Sequence, residues 1–273
     1  PPSPRPGRTR TDENDSAARG GMVLIAAHLL AFPVVAQDAP AIPSLYLTAR
    51  GALDEFDCVL VLPPTQVEEH ERFALGDAHG FLHVYEQREQ AYQEVWISET
   101  FESGIAGLFL ADVNLDDLDE IVLYTENGRI HFLDGAGYRT LWSSPHGDYG
   151  AMTAMALHNV DDDEQVELLF VADERLHIYD GRDQFEEWRS DQDNITATEI
   201  LVGDVDGDGA EEIVLNDGFV FDARYRDLEW QSPEPFGERM GLLDIDDDTI
   251  PEVIGEFQGH FLRVFDIDLR RLK

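Results

Sequence analysis

The strongest constraint on this chain is an internal repeat of about 46 residues. Self-similarity at that period sets the architecture before any single element does. Four segments share one pattern: Asp112–Val122, Asn159–Leu169, Asp204–Val214 and Asp244–Ile254. Their first residues are 47, 45 and 40 positions apart, and each segment has an oxygen-bearing side chain at offsets 0, 2, 4 and 8. Two and four residues before each segment the chain is apolar (Leu110 and Leu108, Leu157 and Met155, Val202 and Ile200, Leu242 and Met240). That period of two predicts a strand entering each acidic loop. A second strand leaves it, as in Glu120–Tyr124, and a third ends in Asp134, Asp180, Asp222 or Asp266.

A fourth strand carries tryptophan. All four tryptophans of the chain, Trp96, Trp142, Trp188 and Trp230, occupy this one position. Trp96 has no acidic loop before it. Counting back from it, Phe81–Glu86 reads as the third strand, Arg72–Leu75 as the second and Val59–Leu62 as the first. That register puts Pro63, Thr65, Val67 and Glu71 at the four loop offsets, so the first unit lacks the acids. Five units of four strands predict an all-β chain folded as a β-propeller of about five four-stranded blades. The units run over about 50–98, 99–145, 146–191, 192–233 and 234–273. In the last unit the tryptophan position would be residue 274, so the β-prone segment Ser44–Ala49 is expected to fill that place from the N-terminal side.

Oxygens at offsets 0, 2 and 4 of a tight loop aim three side chains at one point, and an acid at offset 8 closes the shell. Calcium takes six to eight hard oxygen ligands, whereas crowded carboxylates without a cation repel one another. The candidate ligands are Asp204, Asp206, Asp208 and Glu212; Asp112, Asn114, Asp116 and Glu120; Asp244, Asp246, Asp248 and Glu252; and Asn159, Asp161, Asp163 and Glu167. Gly207 and Gly209 favour the first set, while Asp117, Thr249 and Glu164 stand at the second glycine's place in the others. Solvated acidic turns without metal are the competing reading, and four such turns in one register weigh against it. An EF-hand fails because its loop ends in a bidentate Glu at position 12, which here is Leu215.

With these residues in view, Asp204–Val214 preceded by Ile200–Gly203 resembles the FG-GAP or VCBS repeat, the unit of integrin-α-like propellers and of many secreted bacterial proteins. The resemblance covers roughly residues 50–273 and is most specific in the fourth unit. It implies a propeller with calcium in the loops between first and second strands. This chain departs from it in keeping the Asp-Gly pair in one loop only.

Charge narrows the function. The chain has 57 acidic and 19 basic residues, a net charge of −38, and Lys273 is its one lysine. No basic footprint for nucleic acid can be built from that. Yet 43% of the residues are hydrophobic, which excludes a disordered acidic tail. Val23–Ala36 has the length of a signal-peptide core, with Val34 and Ala36 at the small-residue positions of a cleavage site. The expectation is a start at Met22, a leader over 1–36 and a single extracytoplasmic domain over 37–273, with a buried apolar helix as the alternative. No stretch is long enough to span a membrane. His83, His131 and His177 share one strand position in three units, which repeat symmetry explains without a shared metal. No nucleophile motif is present. The sequence therefore reads as a calcium-stabilised binding, adhesion or scaffold module for a protein or carbohydrate ligand. The alternative is a polysaccharide-acting hydrolase or lyase at the propeller axis.

Overall fold

The computed structural model describes residues 56–63, 70–161 and 163–273. The expected leader, the strand expected at Ser44–Ala49, and Thr65 and Val67 lie outside the described residues.

Among the described residues twenty strands form five antiparallel sheets, each with its four strands in sequence order. The first sheet holds β1 (Phe56–Leu62), β2 (Arg72–Asp77), β3 (Leu82–Arg88) and β4 (Ala91–Ile97). The second holds β5 (Ile105–Ala111), β6 (Glu120–Thr125), β7 (Ile130–Asp134) and β8 (Thr140–Ser143). The third holds β9 (Met152–His158), β10 (Glu167–Ala172), β11 (Arg175–Asp180) and β12 (Phe185–Arg189). The fourth holds β13 (Ile200–Gly203), β14 (Glu212–Leu215), β15 (Phe219–Asp222) and β16 (Leu228–Gln231). The fifth holds β17 (Arg239–Leu243), β18 (Glu252–Phe257), β19 (Phe261–Asp266) and β20 (Arg271–Leu272).

First strands pack on first strands: β1 on β5, β5 on β9, β9 on β13 and β13 on β17. This places them innermost, in the propeller-like arrangement that the repeat predicts. No comparable packing joins β17 to β1 among the described residues. Exposed apolar side chains gather on these two end sheets, including Val59 and Val61 on β1 and Phe261 and Leu262 on β19.

Burial follows from stacking. Each of β6, β10 and β14 is buried at every position, because neighbouring sheets cover both of its faces. Their sequences are accordingly apolar after the opening Glu rather than alternating, apart from Thr125 at the end of β6. Four clusters of apolar side chains fill the spaces between successive sheets. Each tryptophan belongs to one of them. Trp96 lies 5.1 Å from Tyr138, Trp142 lies 6.0 Å from Tyr179, Trp188 lies 6.0 Å from Phe221 and Trp230 lies 5.8 Å from Phe236. The repeated aromatic is thus packing between blades. In the first four sheets the third and fourth strands also shift register at one equivalent place, beside the residue opposite tryptophan: Val84/Tyr85, Phe132/Leu133, Ile178/Tyr179 and Val220/Phe221. Such a bulge adds local twist.

In the fifth sheet, Leu272 pairs with Phe265 and the Lys273 N–H donates to the Val264 carbonyl at 2.8 Å. The fourth-strand place therefore begins with Arg271 and Leu272, in the register that leads to the tryptophan position in the other sheets.

Candidate metal centres

All four acidic loops connect a first strand to a second, and in each the Glu at offset 8 opens the second strand. Glu120, Glu167, Glu212 and Glu252 are 3%, 0%, 0% and 4% exposed. Each turns one carboxylate oxygen back over its loop. Oε2 accepts the backbone N–H at offset 1: Val113 to Glu120 at 3.2 Å, Val160 to Glu167 at 2.9 Å, Val205 to Glu212 at 2.8 Å and Ile245 to Glu252 at 2.8 Å. The apolar residue between the first two ligands is therefore part of the design. Its N–H holds the closing Glu in all four loops, and in three of them its side chain anchors the loop in the core. Val113, Val160 and Val205 are buried and Ile245 is half exposed.

The rest of each loop is shaped by Asx turns. Asp204 Oδ1 accepts the Gly207 N–H at 2.7 Å and Oδ2 the Gly209 N–H at 3.2 Å. Asp112 and Asp244 accept in the same manner from Asp116 and Asp117, and from Asp248 and Thr249. Offsets 3 and 5 have φ of +78° and +90° at Gly207 and Gly209. Leu115, Asp117, Asp247 and Thr249 adopt the same left-handed conformation at φ of +60°, +64°, +63° and +79°. A side chain there is strained, most of all the β-branched Thr249. The third unit is built differently, since Asn159 donates to the Asp163 carbonyl at 2.7 Å and accepts the Asp161 N–H at 3.2 Å.

The loops part company at the second oxygen of the closing Glu. In the second unit, Asn114 Nδ2 donates to Glu120 Oε1 at 2.9 Å. In the fifth, Lys273 Nζ donates to Glu252 Oε1 at 2.7 Å and also to Asp246 Oδ2. In the third and fourth units, Oε1 of Glu167 and of Glu212 is buried with no hydrogen-bond partner. A buried carboxylate oxygen left in that condition costs free energy. Beside these two oxygens stand Asp161 and Asp163, and Asp204 and Asp206, close enough for each trio to hold a metal ion; Asp244, Asp246 and Asp248 form a third such group. Burial raises the pKa of Glu120 and Glu167 to about 7 and of Glu212 to about 8, with the neighbouring aspartates adding to the shift. Without a cation these groups hold on to a proton near neutrality. A cation would take the proton's place.

In the first unit the structure corrects the sequence register. Arg72, not Glu71, opens β2, and it pairs with Leu62 and Glu86 where Glu120 pairs with Ala111 and Asp134. The loop is one residue longer than its counterparts, which a count of residues back from Trp96 could not show. Glu71 is exposed and accepts the Tyr92 hydroxyl at 2.5 Å. The Arg72 guanidinium is buried and donates to the Pro63 carbonyl at 3.2 and 2.6 Å. Where the other units carry an acid, this one carries its own cation.

Two further features were hidden in the sequence. The acids that end the third strands cap the following turn, Asp134 Oδ1 taking the N–H groups of Ala136 and Gly137 at 2.8 Å and Asp266 Oδ1 that of Leu269 at 2.8 Å. Arg226, in the turn after β15, bonds Glu187 of the preceding sheet at 2.6 Å and lies 3.9 Å from Asp161. The histidines are held within their own sheets. His83 contacts Glu94 at 2.6 Å, His177 contacts Glu186 at 2.7 Å, and His131 contacts Ser143 at 2.7 Å.

Two recesses among the described residues are lined largely by fourth strands and the segments that follow them. One of about 560 Å³ is lined by β12 residues, including Glu187 and Trp188, together with Arg175. The other, of about 320 Å³, is lined by Trp96 and the segment after β4, with Arg129, His131, Tyr138 and Thr140 of the next sheet. The first strands β5 and β13 carry no ionisable side chain at all. Among the described residues no helix is long and apolar enough to cross a membrane.

No protein-family model matches the chain, and no curated protein matches it. Among solved structures it is similar to BBS1N, crystallised in complex with ARL6DN and soaked with lead, at 11% identity and a TM-score of 0.57 over 80% of this chain and 67% of that one. It is similar to the V. cholerae biofilm matrix protein Bap1 at 15% identity and a TM-score of 0.54, over 78% of this chain and 38% of Bap1. The computationally designed Ika8 protein gives 14% identity and a TM-score of 0.51, over 80% and 64%. The chain thus spans well under half the length of Bap1. At these identities the likeness is one of fold, and it fits the propeller-like arrangement of five four-stranded sheets.

Proposed function

We propose that this chain is a calcium-stabilised propeller of the FG-GAP or VCBS kind that works outside the cytoplasm as a non-catalytic binding, adhesion or scaffold module. The observation that carries the calcium reading is the pair of buried, unpartnered oxygens, Glu167 Oε1 and Glu212 Oε1. Each lies in a carboxylate trio with no nitrogen or sulfur donor, and an all-oxygen donor set suits calcium over transition metals. Asp161, Asp163 and Glu167 would hold one ion, and Asp204, Asp206 and Glu212 another. Asp112, Asn114, Asp116 and Glu120 form a further site once the Asn114 amide turns its oxygen inward. A bound ion neutralises the loop and ties the start of a second strand to the end of a first. Its contribution is to stability, about 2.7 kcal/mol per site at a hundredfold excess over the dissociation constant.

The uncharged first strands β5 and β13, and the recesses lined by outer strands, favour a binding role over an axial hydrolase or lyase site. Among the fold neighbours, BBS1N is seen in complex with ARL6DN and Bap1 is a biofilm matrix protein, so protein and polysaccharide ligands are the classes to test first. The test immobilises the chain in calcium, screens it against polysaccharides, and assays the bound ones for new reducing ends or unsaturated sugars. Binding without bond cleavage is expected. Cleavage would overturn the non-catalytic reading.

A further inference from the structure

The fifth loop repeats the acidic pattern, yet its closing Glu is not left with an orphan oxygen. The Lys273 ammonium donates to Glu252 Oε1 at 2.7 Å and to Asp246 Oδ2, 21 and 27 residues away in sequence. Glu252 Oε1 is the counterpart of the unpartnered oxygens of Glu167 and Glu212. Lys273 is also fixed from behind, because its backbone N–H continues the β19–β20 ladder by donating to Val264.

A lysine ammonium is a compact point charge with three donors, suited to a cluster of single oxygens in a way that the planar guanidinium fork is not. In a chain with 19 basic residues, the only ammonium side chain stands among carboxylates that match two metal-ligand sets elsewhere. The first unit supplies a parallel, because Arg72 replaces the closing acid there and brings a cation of its own. We propose that the Lys273 ammonium is the resident cation of the fifth loop and that calcium enters this loop only by displacing it. The inference rests on the calcium reading of the third and fourth loops. Its consequence is an exchange: calcium in the fifth loop releases Lys273 and loosens β20, which is held to β19 by two residue pairs.

The experiment counts bound calcium by native mass spectrometry on the full chain and on Lys273→Met. It is paired with a thermal double-mutant cycle between Lys273→Met and Asp246→Asn in excess chelator. The expected result is one more ion on Lys273→Met than on the wild type at the same calcium concentration, lost again when Asp246→Asn is added. The cycle should show coupling between the two residues without calcium. If Lys273→Met does not fold, Lys273→Gln replaces it. Equal counts on a wild type that binds calcium would overturn the proposal, and so would absence of coupling in chelator. No ion on either protein, with the coupling intact, would sink the calcium reading of the other loops while supporting Lys273 as the cation of this one.

Discussion

Glu212 accepts the Val205 N–H across its loop at 2.8 Å through Oε2, while its other oxygen, Oε1, is buried without a partner. One side chain thus does two separable things. It ties the loop shut, which an amide can also do, and it presents a charge, which an amide cannot. Glu212→Gln is expected to melt at or above the wild-type midpoint in chelator, because the fold no longer has to protonate a carboxyl that the unfolded chain ionises, and the Val205 N–H keeps an acceptor. Glu212→Ala should lose about 1–3 kcal/mol in chelator, the cost of an unsatisfied buried donor. In calcium only the wild type should gain fully. Denaturant midpoints of the three proteins with and without calcium check this.

The left-handed positions make a second test. A Cβ added at Gly209 meets nothing within 4 Å, so Gly209→Ala isolates the conformational cost of φ +90°. A loss of about 1–2 kcal/mol is expected. Thr249 occupies the equivalent position at φ +79°, and Thr249→Gly should gain about 1 kcal/mol despite the greater freedom of glycine in the unfolded chain. Thermal midpoints that move in the same direction for both variants would contradict the shared loop geometry.

These positions show what the sequence carried and what it hid. The period of two before each loop and the single tryptophan position were enough for strand count, sheet order and packing between blades, because stacking forces one residue type onto each equivalent place. The acidic loop positions were legible for the same reason. Spacing within one sheet could not show contacts between distant parts of the chain. Lys273 reaches Glu252 through strand β20, and Arg226 reaches Glu187 across two sheets. Neither pairing leaves a local pattern. The Arg72 register was lost because a loop one residue longer moves no apolar residue out of its period.

Arg226 ties the fourth sheet to the third. The guanidinium and the Glu187 carboxylate are 21% and 15% exposed, so the pair is only partly screened. Arg226→Met should cost about 1–2 kcal/mol, less at high salt. It should also tighten calcium binding at the third loop, because a positive charge 3.9 Å from Asp161 is removed. A calcium titration of the variant by calorimetry, with a double-mutant cycle against Glu187→Gln, measures both effects.

His131 sets a pH response that is independent of the loops. Burial, with help from Arg129 and His146, lowers its pKa from 6.5 to about 4, and its Nε2 is buried without a partner. The unfolded chain binds the proton more readily than the fold does, so stability is fully present above pH 6.5 and is lost as pH falls through about 4. His131→Gln should lose less stability than the wild type over that window. Parallel pH profiles of the two proteins would contradict the assignment.

The most direct test of the central claim is the number of calcium ions held by the native chain, read by mass spectrometry in calcium and after chelation. The account predicts at least two ions on the wild type, and the loss of two in the Glu167→Gln, Glu212→Gln double variant, which keeps the acceptors for Val160 and Val205. An identical mass with and without calcium would contradict it.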